Sequence, residues 1–345
     1  MSWLEAELRE QPDALARFLR AETAAARALV DELAIREIRY VVIAARGSSD
    51  NAARYAQYLF GAVNRLPVAL ATPSLYTLYK TPPRLESALV IGISQSGASP
   101  DIAAVVSEAR AQGCPTIAIT NDPTSRLAVA AERVVALWAG TERAVAATKT
   151  YLNSIAAVAL VSAALGLDEE RLHELLEMPG RVREQIELST STTSSLDRYR
   201  DVSAGTVVGR GTAYGTAFEI ALKIRELSGV QMEAFSGADL LHGPIAAVDT
   251  GSLSLLVAPS GPALEGVHEL IAELRRRGVA IAAISDAPDV LAAVDTPLPL
   301  VTGVPEWLSP LTAVVPGQLA ALRLASLRGL DLDHPHGLQK ITRTR

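Results

Sequence analysis

The chain has 345 residues, 49% of them hydrophobic, and a formal net charge of -6 at neutral pH. That length favours two domains, each with enough apolar residues for a core. The acidic balance and the lack of a basic run argue against nucleic acid or an anionic membrane as a partner. The single cysteine, Cys114, excludes an internal disulfide and a cysteine-based metal cluster. The charged first 20 residues do not have the pattern of a signal peptide, and the longest apolar stretch, 156–167, is too short to span a bilayer. We therefore expect a cytoplasmic protein.

In chain order, a helical pattern over residues 2–34 is followed by short apolar runs that alternate with longer helical patterns. Each apolar run of about six residues ends at small polar residues. This alternation predicts βαβ units and parallel sheets that are buried on both faces. Right-handed crossovers would give doubly wound, three-layer α/β/α domains, and ligands bind such sheets at the carboxyl ends of the strands.

The second half of the chain repeats the first. Three landmarks at strand ends recur at nearly one offset: Arg46 and Arg210 are 164 positions apart, as are Ser96 and Ser260, and Thr120 and Ser285 are 165 apart. Chance composition could match one apolar run but hardly three in register. The sequence therefore predicts two tandem copies of one α/β domain.

We divide the chain into five segments on this basis. They are an N-terminal helical segment (1–37), a first α/β domain (38–167), a helical connector (168–200) with a Ser/Thr-rich turn at 189–195, a second α/β domain (201–329) and a C-terminal tail (330–345).

The first copy carries a candidate phosphate loop at residues 94–101, Ser-Gln-Ser-Gly-Ala-Ser-Pro-Asp, between a predicted strand and a predicted helix. Pro100 suits the first helical position with Ser99 as N-cap. The helix N-terminus offers free N–H groups and a partial positive charge, and Gly97 would let the backbone approach a ligand closely. The same residues also suit an ordinary strand-to-helix turn, so the loop alone leaves both interpretations open.

The second copy has Ala-Pro-Ser-Gly-Pro-Ala at the corresponding place, residues 258–263. It offers fewer hydroxyls, and its extra proline removes a backbone donor. We therefore expect phosphate to bind the first copy only.

Residues 217–227 are apolar around most of the helical circumference, which predicts a buried helix. Glu219, Lys223 and Glu226 lie on one of its faces. Such spacing often marks a solvated ladder of salt bridges, but on an apolar helix it favours a cleft or an interface. A lysine near a carboxylate helps keep it ionised, as a catalytic base requires.

The histidines carry weaker signals. His242 precedes a Gly-Pro turn and is predicted on a loop, where it either packs on an apolar neighbour or serves a site. His334 and His336 have no evident third ligand near them, so we expect neither a metal nor another cofactor.

Together these segments resemble the double sugar isomerase (SIS) domain family. The likeness is to the isomerase half of glucosamine-6-phosphate synthase (glutamine–fructose-6-phosphate aminotransferase) and to the SIS-type glucosamine-6-phosphate deaminases. It covers essentially the whole chain and rests on residues 10–12, 46–50, 93–97, 139–149, 209–211, 219–226, 241–244 and 335–340. The motifs at 46–50, 94–102 and 144–151 resemble the deaminases more than the synthases.

The resemblance implies a role for each matching residue. Glu226 would move a proton between C1 and C2 of the sugar, and His242, from the partner subunit, would open the ring. Lys223 and Lys340 would contact the open-chain sugar, with Lys340 on a tail that closes on the active site. The binding residues implied for phosphate and sugar are Gly47, Ser48, Ser49, Ser94, Gln95, Ser96, Ser99, Ala147, Thr148 and Glu219. The synthases carry a serine where this chain has Ala147.

The predicted activity is an isomerising deaminase, a homodimer with shared active sites, that converts glucosamine 6-phosphate to fructose 6-phosphate and ammonia. Ser2 follows Met1, where the synthases carry the cysteine nucleophile of a glutaminase domain, so free ammonia is the expected nitrogen species. The alternatives are another SIS phosphosugar isomerase or aminotransferase-type enzyme, a fructosamine-6-phosphate deglycase, and a non-catalytic phosphosugar-sensing SIS module. Acidic charge and the presence of Glu226 together with His242 favour an enzyme over a sensor.

Overall fold

The computed structural model describes residues 1–34 and 36–340, except for the side chains of 27, 29–32 and 34. The chain divides into two compact units. The N-terminal unit contains Glu10–Glu142, Lys149–Pro179 and the segment that starts at Gln339. The C-terminal unit contains Met1–Arg9, Arg143–Thr148 and Gly180–Leu338. The segment boundaries drawn from the sequence stay predictions.

The elements in chain order are α1 (Trp3–Arg9), α2 (Gln11–Ala34), β1 (Tyr40–Ala44), α3 (Ser48–Leu59), β2 (Val68–Leu70), α4 (Ser74–Thr77), β3 (Ala88–Ile93), α5 (Pro100–Ala111), β4 (Thr116–Thr120), α6 (Arg126–Ala130), β5 (Arg133–Ala136), α7 (Lys149–Leu165), α8 (Glu169–Thr192), β6 (Ala204–Gly209), α9 (Ala213–Ser228), β7 (Gln231–Phe235), α10 (Gly237–Leu241), β8 (Leu253–Val257), α11 (Val267–Arg276), β9 (Ala280–Ser285), α12 (Pro288–Ala292), β10 (Thr296–Pro299) and α13 (Ser309–Leu327).

Each unit is built on one five-stranded parallel sheet. The strand order is β2-β1-β3-β4-β5 in the N-terminal unit and β10-β9-β8-β6-β7 in the C-terminal unit. Reversed, the second order is β7-β6-β8-β9-β10. In both units the strands therefore follow the order second, first, third, fourth and fifth along the chain. The prediction of two tandem, doubly wound α/β domains with parallel sheets is therefore confirmed.

The central strands are apolar because helices cover both faces of each sheet. Every residue of β3 and of β8 is buried, and β4 and β9 carry long buried apolar runs as well. Helices α7 and α13 are buried over most of their length. These strands are the short apolar runs that the sequence pattern singles out.

The strand order creates one crevice in each sheet. The chain leaves β1 toward β2 on one side and leaves β3 toward β4 on the other, so the crossovers diverge between β1 and β3. The same divergence occurs between β6 and β8. In doubly wound sheets, ligands bind at this switch point, beyond the carboxyl ends of the two strands. The loops that begin at Ala45 and Ser94 border the first crevice.

The connector departs from the sequence prediction. A turn was expected at residues 189–195, but α8 continues through Thr192, and a 3-10 helix covers Thr193–Tyr199. The hydroxyls explain the difference because they bond back along the helix: Thr190 Oγ1 donates to the Ile186 carbonyl and Thr193 Oγ1 to the Ser189 carbonyl, both at 2.7 Å. Serine and threonine satisfied in this way are tolerated within a helix.

The tail after α13 is irregular, as predicted, and part of it attaches to α1. The carboxylate of Asp333 accepts the backbone N–H groups of Trp3 and Leu4 at 3.0 and 3.2 Å, which caps the start of that helix. The predicted tail runs to residue 345, and its last five residues lie outside the described part of the chain. Among the described residues, none of the helices combines the length and apolar character needed to cross a bilayer.

Close packing of α9 on α13 gives a test of the C-terminal core. A Cβ at Gly317 would lie 2.3 Å from Ile220 Cγ1, whereas one at Gly180, in α8, would meet open space. We expect Gly317→Ala to destabilise the protein by about 1–3 kcal/mol through overpacking. Gly180→Ala is the matched control, and we expect it to stabilise by up to about 1 kcal/mol. Urea denaturation of both variants measures the difference, and equal midpoints would contradict this packing.

Candidate active site

The switch point of the N-terminal unit is bordered on one side by the turn that leads from β1 into α3. Gly47 has a positive φ of 54°, and the N–H groups of Ser49 and Asp50 donate back to the Arg46 carbonyl. Ser48 and Ser49 are half-buried in the first turn of α3. Gly47, Ser48 and Ser49 thus follow the carboxyl end of β1, where the sequence predicts them.

The loop from β3 to α5 borders the other side. Ser94 is buried, and its Oγ accepts the Gly97 N–H at 3.2 Å, while Ser96 Oγ accepts the Ala98 N–H at 3.3 Å. The Gln95 carbonyl accepts the Asn121 N–H at 3.1 Å, which fixes the loop to the end of β4. Ser94, Gln95 and Ser96 are therefore held in one turn beside the crevice.

Ser99 occupies the N-cap position of α5, as predicted, and Pro100 is the first helical residue. The Ser99 side chain, however, makes no capping hydrogen bond. The N-terminus of α5 thus has no capping oxygen from Ser99, although Pro100 has no N–H group and the Ile102 N–H donates to Asp101 Oδ1 at 3.0 Å. The helix dipole at this end still favours an anion.

Gly97 is required by the loop for two reasons. Its φ is 59°, and a Cβ there would lie 2.0 Å from Ser125 Oγ and 2.9 Å from Thr120 Oγ1. Any larger residue would displace the loop from β4 and α6. The glycine therefore allows close packing behind the loop, in addition to the close approach of a ligand that the sequence suggests.

An ion pair that the sequence analysis missed joins the two sides of this crevice. The Arg46 guanidinium donates from Nε and Nη2 to Asp101 Oδ2 at 3.1 and 2.9 Å. The Asp101 side chain is only 2% exposed, whereas that of Arg46 is 51% exposed. The two residues are 55 positions apart, so their spacing does not indicate a contact. The only sign of it in the sequence is that each belongs to a motif that resembles the family.

The matching loop of the C-terminal unit differs in its charge. The Ser260 N–H donates to the Asp286 carboxylate at 2.7 Å, so an acidic side chain already occupies this donor. A 3-10 turn, Pro262–Leu264, separates the loop from α11. In the first copy the residue equivalent to Asp286 is Asn121, whose neutral amide bonds the backbone of Ala139 and Gly140.

The charged stripe on α9 is buried, not solvated. The side chains of Glu219 and Lys223 are 0% and 2% exposed, and that of Glu226 is 24% exposed. Lys223 Nζ forms a close ion pair with Glu226 Oε2 and lies 3.7 Å from Glu219 Oε1. The ammonium thus lies between two carboxylates, of which only Glu226 reaches solvent. A partly exposed carboxylate that pairs with a buried lysine is placed where a base could reach a substrate.

His242 caps the C-terminus of the short helix α10 and is exposed. Its Nδ1 lies 2.7 Å from the Ala238 carbonyl. A carbonyl can only accept, so Nδ1 carries the proton in the neutral ring and Nε2 is the acceptor. His242 also lines a cavity of about 270 Å³ together with Arg210 and Pro259, at the switch point between β6 and β8.

Within the C-terminal unit, Glu226 and His242 lie at opposite ends of the strands: His242 is near the carboxyl ends and Glu226 is toward the amino ends. Helix α9 starts at the carboxyl end of β6 and runs back toward the amino ends of the strands, with Glu226 in its last turn. His242 shares its cavity with Gly209 and Arg210, which directly precede α9. At 1.5 Å per residue, the helix between these levels is about 20 Å long. The structure therefore does not bring these two predicted residues together within one unit.

The remaining predicted residues lie near the start of α7. Ala147 is half-buried and Thr148 is buried, and both belong to the C-terminal unit. In the N-terminal unit, Lys340 Nζ lies 2.9 Å from Glu142 Oε2. Glu142 also accepts the backbone N–H and the hydroxyl of Thr150, at 3.1 and 2.6 Å. Lys340 is thus attached to a carboxylate whose orientation α7 fixes.

A second lysine supports the same segment. Lys149 is buried and donates to Glu10 Oε2 and to the Thr141 carbonyl, both at 2.7 Å. Burial raises the pKa of Glu10, but the hydrogen bonds from Lys149 and Arg17 outweigh it and hold the pKa below its usual value. The described residues contain no group of three or more His, Cys, Asp or Glu side chains placed to hold a metal ion.

Fold and loops together define a class: a duplicated, doubly wound α/β protein with a serine-rich loop at its first switch point. The sequence pattern of the SIS domain family matches residues 34–164 and 205–328, and the chain belongs to this family. The predicted family is therefore confirmed.

Three proteins illustrate what the chain is similar to. The glutamine–fructose-6-phosphate aminotransferase (isomerizing) of Thermus thermophilus is 32% identical over 315 residues, which are 88% of this chain and 52% of that protein. The C-terminal domain of the Francisella tularensis glucosamine-fructose-6-phosphate aminotransferase matches with a TM-score of 0.87 and 25% identity, over 97% of this chain and 98% of that one. The Thermotoga maritima glucosamine-6-phosphate deaminase shares the fold, with a TM-score of 0.79 and 22% identity, over 99% of this chain and 100% of that one. The chain spans about half the length of the curated relatives it matches.

The buried stripe on α9 gives a test of its charges. We expect Lys223→Met to destabilise the protein by about 3–5 kcal/mol, because it leaves the buried Glu219 carboxylate without its cation. Adding Glu219→Gln should recover part of that loss. Arg181→Met is the control, since it breaks an exposed i,i+3 pair on α8 with Glu184 and should cost less than about 1 kcal/mol. Denaturant titration measures all four proteins, and a Lys223→Met cost no larger than that of the control would contradict the burial.

Proposed function

We propose that the chain is a phosphosugar enzyme, an isomerising deaminase that converts glucosamine 6-phosphate to fructose 6-phosphate and ammonia. The observation that carries the substrate class is the contrast between the two switch points. The first offers three serines and an uncapped helix N-terminus, whereas the second has Asp286 on the matching backbone donor. At the first, a phosphate would meet hydroxyl donors and an Asp101 carboxylate that is paired with Arg46. At the second, it would meet the Asp286 carboxylate on the matching backbone donor.

The residues support the following chemistry. The loop at 94–99 holds the phosphate. His242 Nε2 takes the proton of the anomeric hydroxyl and passes it to the ring oxygen as the C1–O5 bond breaks, which opens the pyranose. Glu226 then takes the proton from C2 and returns it at C1, which turns the amino aldose into a 2-imino ketose form. Water adds to the imine carbon and ammonia leaves, which gives the ketose phosphate. Lys223 and Lys340 stabilise negative charge that develops on the open-chain oxygens.

We prefer a deaminase to the other SIS activities because of three sequence motifs in the first half of the chain. Residues 46–50, 94–102 and 144–151 resemble the deaminases, and the first two contain Arg46 and Asp101, which form the ion pair across the crevice. At position 147 the chain has alanine, so the serine hydroxyl of the synthases is missing from the sugar site.

The separation of Glu226 and His242 supports a homodimer with shared sites. A general acid or base acts within hydrogen-bond reach of its proton, about 2.6–3.2 Å. The length of α9 separates Glu226 from the level of His242 by about 20 Å, so the two residues of one chain cannot both reach the C1–C2 end of one substrate. If both act in one reaction, His242 comes from a second copy of the chain.

The test of the activity is ammonia release from a panel of phosphorylated sugars. We expect glucosamine 6-phosphate to yield ammonia and fructose 6-phosphate in equal amounts. Glu226→Gln should abolish exchange of the C2 proton with deuterated solvent while leaving phosphate binding nearly intact, because it removes a proton acceptor but little volume. Exchange at the wild-type rate in that variant would remove Glu226 from the mechanism.

The other members of the panel separate the alternatives. Ketose–aldose conversion without ammonia would identify another SIS isomerase, and release of an amine from a fructosamine 6-phosphate would identify a deglycase. Tight binding of phosphosugars without turnover would identify a sensing module.

Subunit mixing tests the shared site. Glu226→Gln and His242→Ala are each expected to be inactive, but a heterodimer of the two would contain one site with both changes and one intact site. After subunit exchange, we expect activity to return toward half of the wild-type value in the heterodimer fraction. If each chain holds a complete site, every site keeps one change and no activity returns. A monomer at working concentration, by ultracentrifugation, would also reject the shared site.

A further inference from the structure

We propose that Arg46 sets the charge of the phosphate site: it neutralises the buried carboxylate of Asp101 and adds a donor for the phosphate. The inference rests on the proposed function, since it assumes that residues 94–99 hold a phosphate. It concerns a residue to which the family resemblance gives no role.

Asp101 creates a problem for an anion site. It lies in the first turn of α5, directly after the loop, and its side chain is almost fully buried. A carboxylate there stabilises the helix, but the same field that favours it also favours a bound phosphate, and the two negative charges repel each other. Burial strengthens this repulsion because the surroundings screen it poorly.

Arg46 removes the problem from the opposite side of the crevice. Both of its contacts, from Nε and Nη2, go to a single oxygen, Asp101 Oδ2. Asp101 Oδ1 accepts the Ile102 N–H instead. Arg46 Nη1 is not engaged by the carboxylate, and half of the side chain is exposed. A guanidinium in this arrangement neutralises one anion and can donate to a second.

The second copy provides an internal comparison. Arg210 stands at the position equivalent to Arg46, and Glu265 at the position equivalent to Asp101. There the arginine donates to the backbone carbonyl of Glu265 at 3.5 Å, and the glutamate is exposed. The pair between an arginine and a buried carboxylate thus occurs at the switch point that has the serine loop. The first copy therefore has both the serine loop and the arginine–carboxylate ion pair, and the second copy has neither.

The experiment measures binding of inorganic phosphate by calorimetry and the KM and kcat for glucosamine 6-phosphate. Arg46→Ala should weaken phosphate binding about 10- to 100-fold, as expected for a lost charge-assisted contact, and raise KM more than it lowers kcat. Asp101→Asn should leave phosphate affinity unchanged or higher, because Arg46 is then freed for the ligand. The double variant should bind phosphate about tenfold more tightly than Arg46→Ala alone, because the negative charge of Asp101 next to the phosphate is gone.

A purely structural bridge between the two loops gives the opposite pattern. Both single variants would then weaken phosphate to the same degree, and the double variant would be no better than either, which would overturn the proposal. Arg46→Lys keeps the positive charge and should retain most of the phosphate affinity. This variant perturbs the fold less than Arg46→Ala does, so it tests the role of the charge. Arg210→Ala is the matched control and should not change phosphate affinity.

A Ser96→Ala, Ser99→Ala variant separates this proposal from the proposed function. If the double alanine weakens phosphate binding and Arg46→Ala does not, the phosphate loop is right and the role of Arg46 is wrong. If neither changes the affinity, the phosphate site itself is wrong, and the role of Arg46 falls with it.

Discussion

The parallel sheet is the constraint on which the rest of this protein depends. A parallel strand must be followed by a crossover, so each sheet is covered on both faces, and its strands have only their ends open to solvent. The order β2-β1-β3-β4-β5 then allows one place where the crossovers diverge. Functional groups have to gather there, and the serine loop, the Gly47 turn and the Arg46–Asp101 pair do so. In the second sheet the same place holds a cavity with Arg210 and His242.

Duplication preserved this geometry and changed the charges within it. Both copies keep the strand order, the arginine after the first strand and a small-residue loop after the third. Among the differences between the copies, one changes the charge beside the loop: Asn121 is neutral and bonds backbone groups, whereas the equivalent Asp286 is acidic and accepts the Ser260 N–H. A carboxylate on a loop N–H satisfies it permanently, so the second loop is stable without a ligand. In the first loop the equivalent residue, Asn121, is neutral, and the nearby Asp101 carboxylate is paired with Arg46, which is consistent with a ligand supplying the anion.

The sequence predicts the central strands and the repeat because β1, β3, β4 and their counterparts are continuous apolar runs. It does not single out the edge strands. β2 has three residues of which none is buried, and β5 exposes Arg133 and Val134, so neither forms such a run. The ion pair of Arg46 with Asp101 is also not predictable from spacing, because 55 residues and a full strand pairing separate its partners. What the sequence shows of the site is therefore the residues within one turn or one helix, and contacts across the crevice need the fold.

Buried charge in this protein is compensated within a few ångströms, and stability does not explain why it is kept. Lys223 lies between Glu219 and Glu226, Lys149 contacts Glu10, and Arg46 contacts Asp101. Replacing such a group as a whole by apolar side chains is often neutral or stabilising, because desolvation of the charges consumes most of their attraction. The chain is 49% hydrophobic, which provides ample apolar surface for two cores. Charges retained on a buried helix and at a switch point are therefore better explained by chemistry at those places than by the stability of the fold.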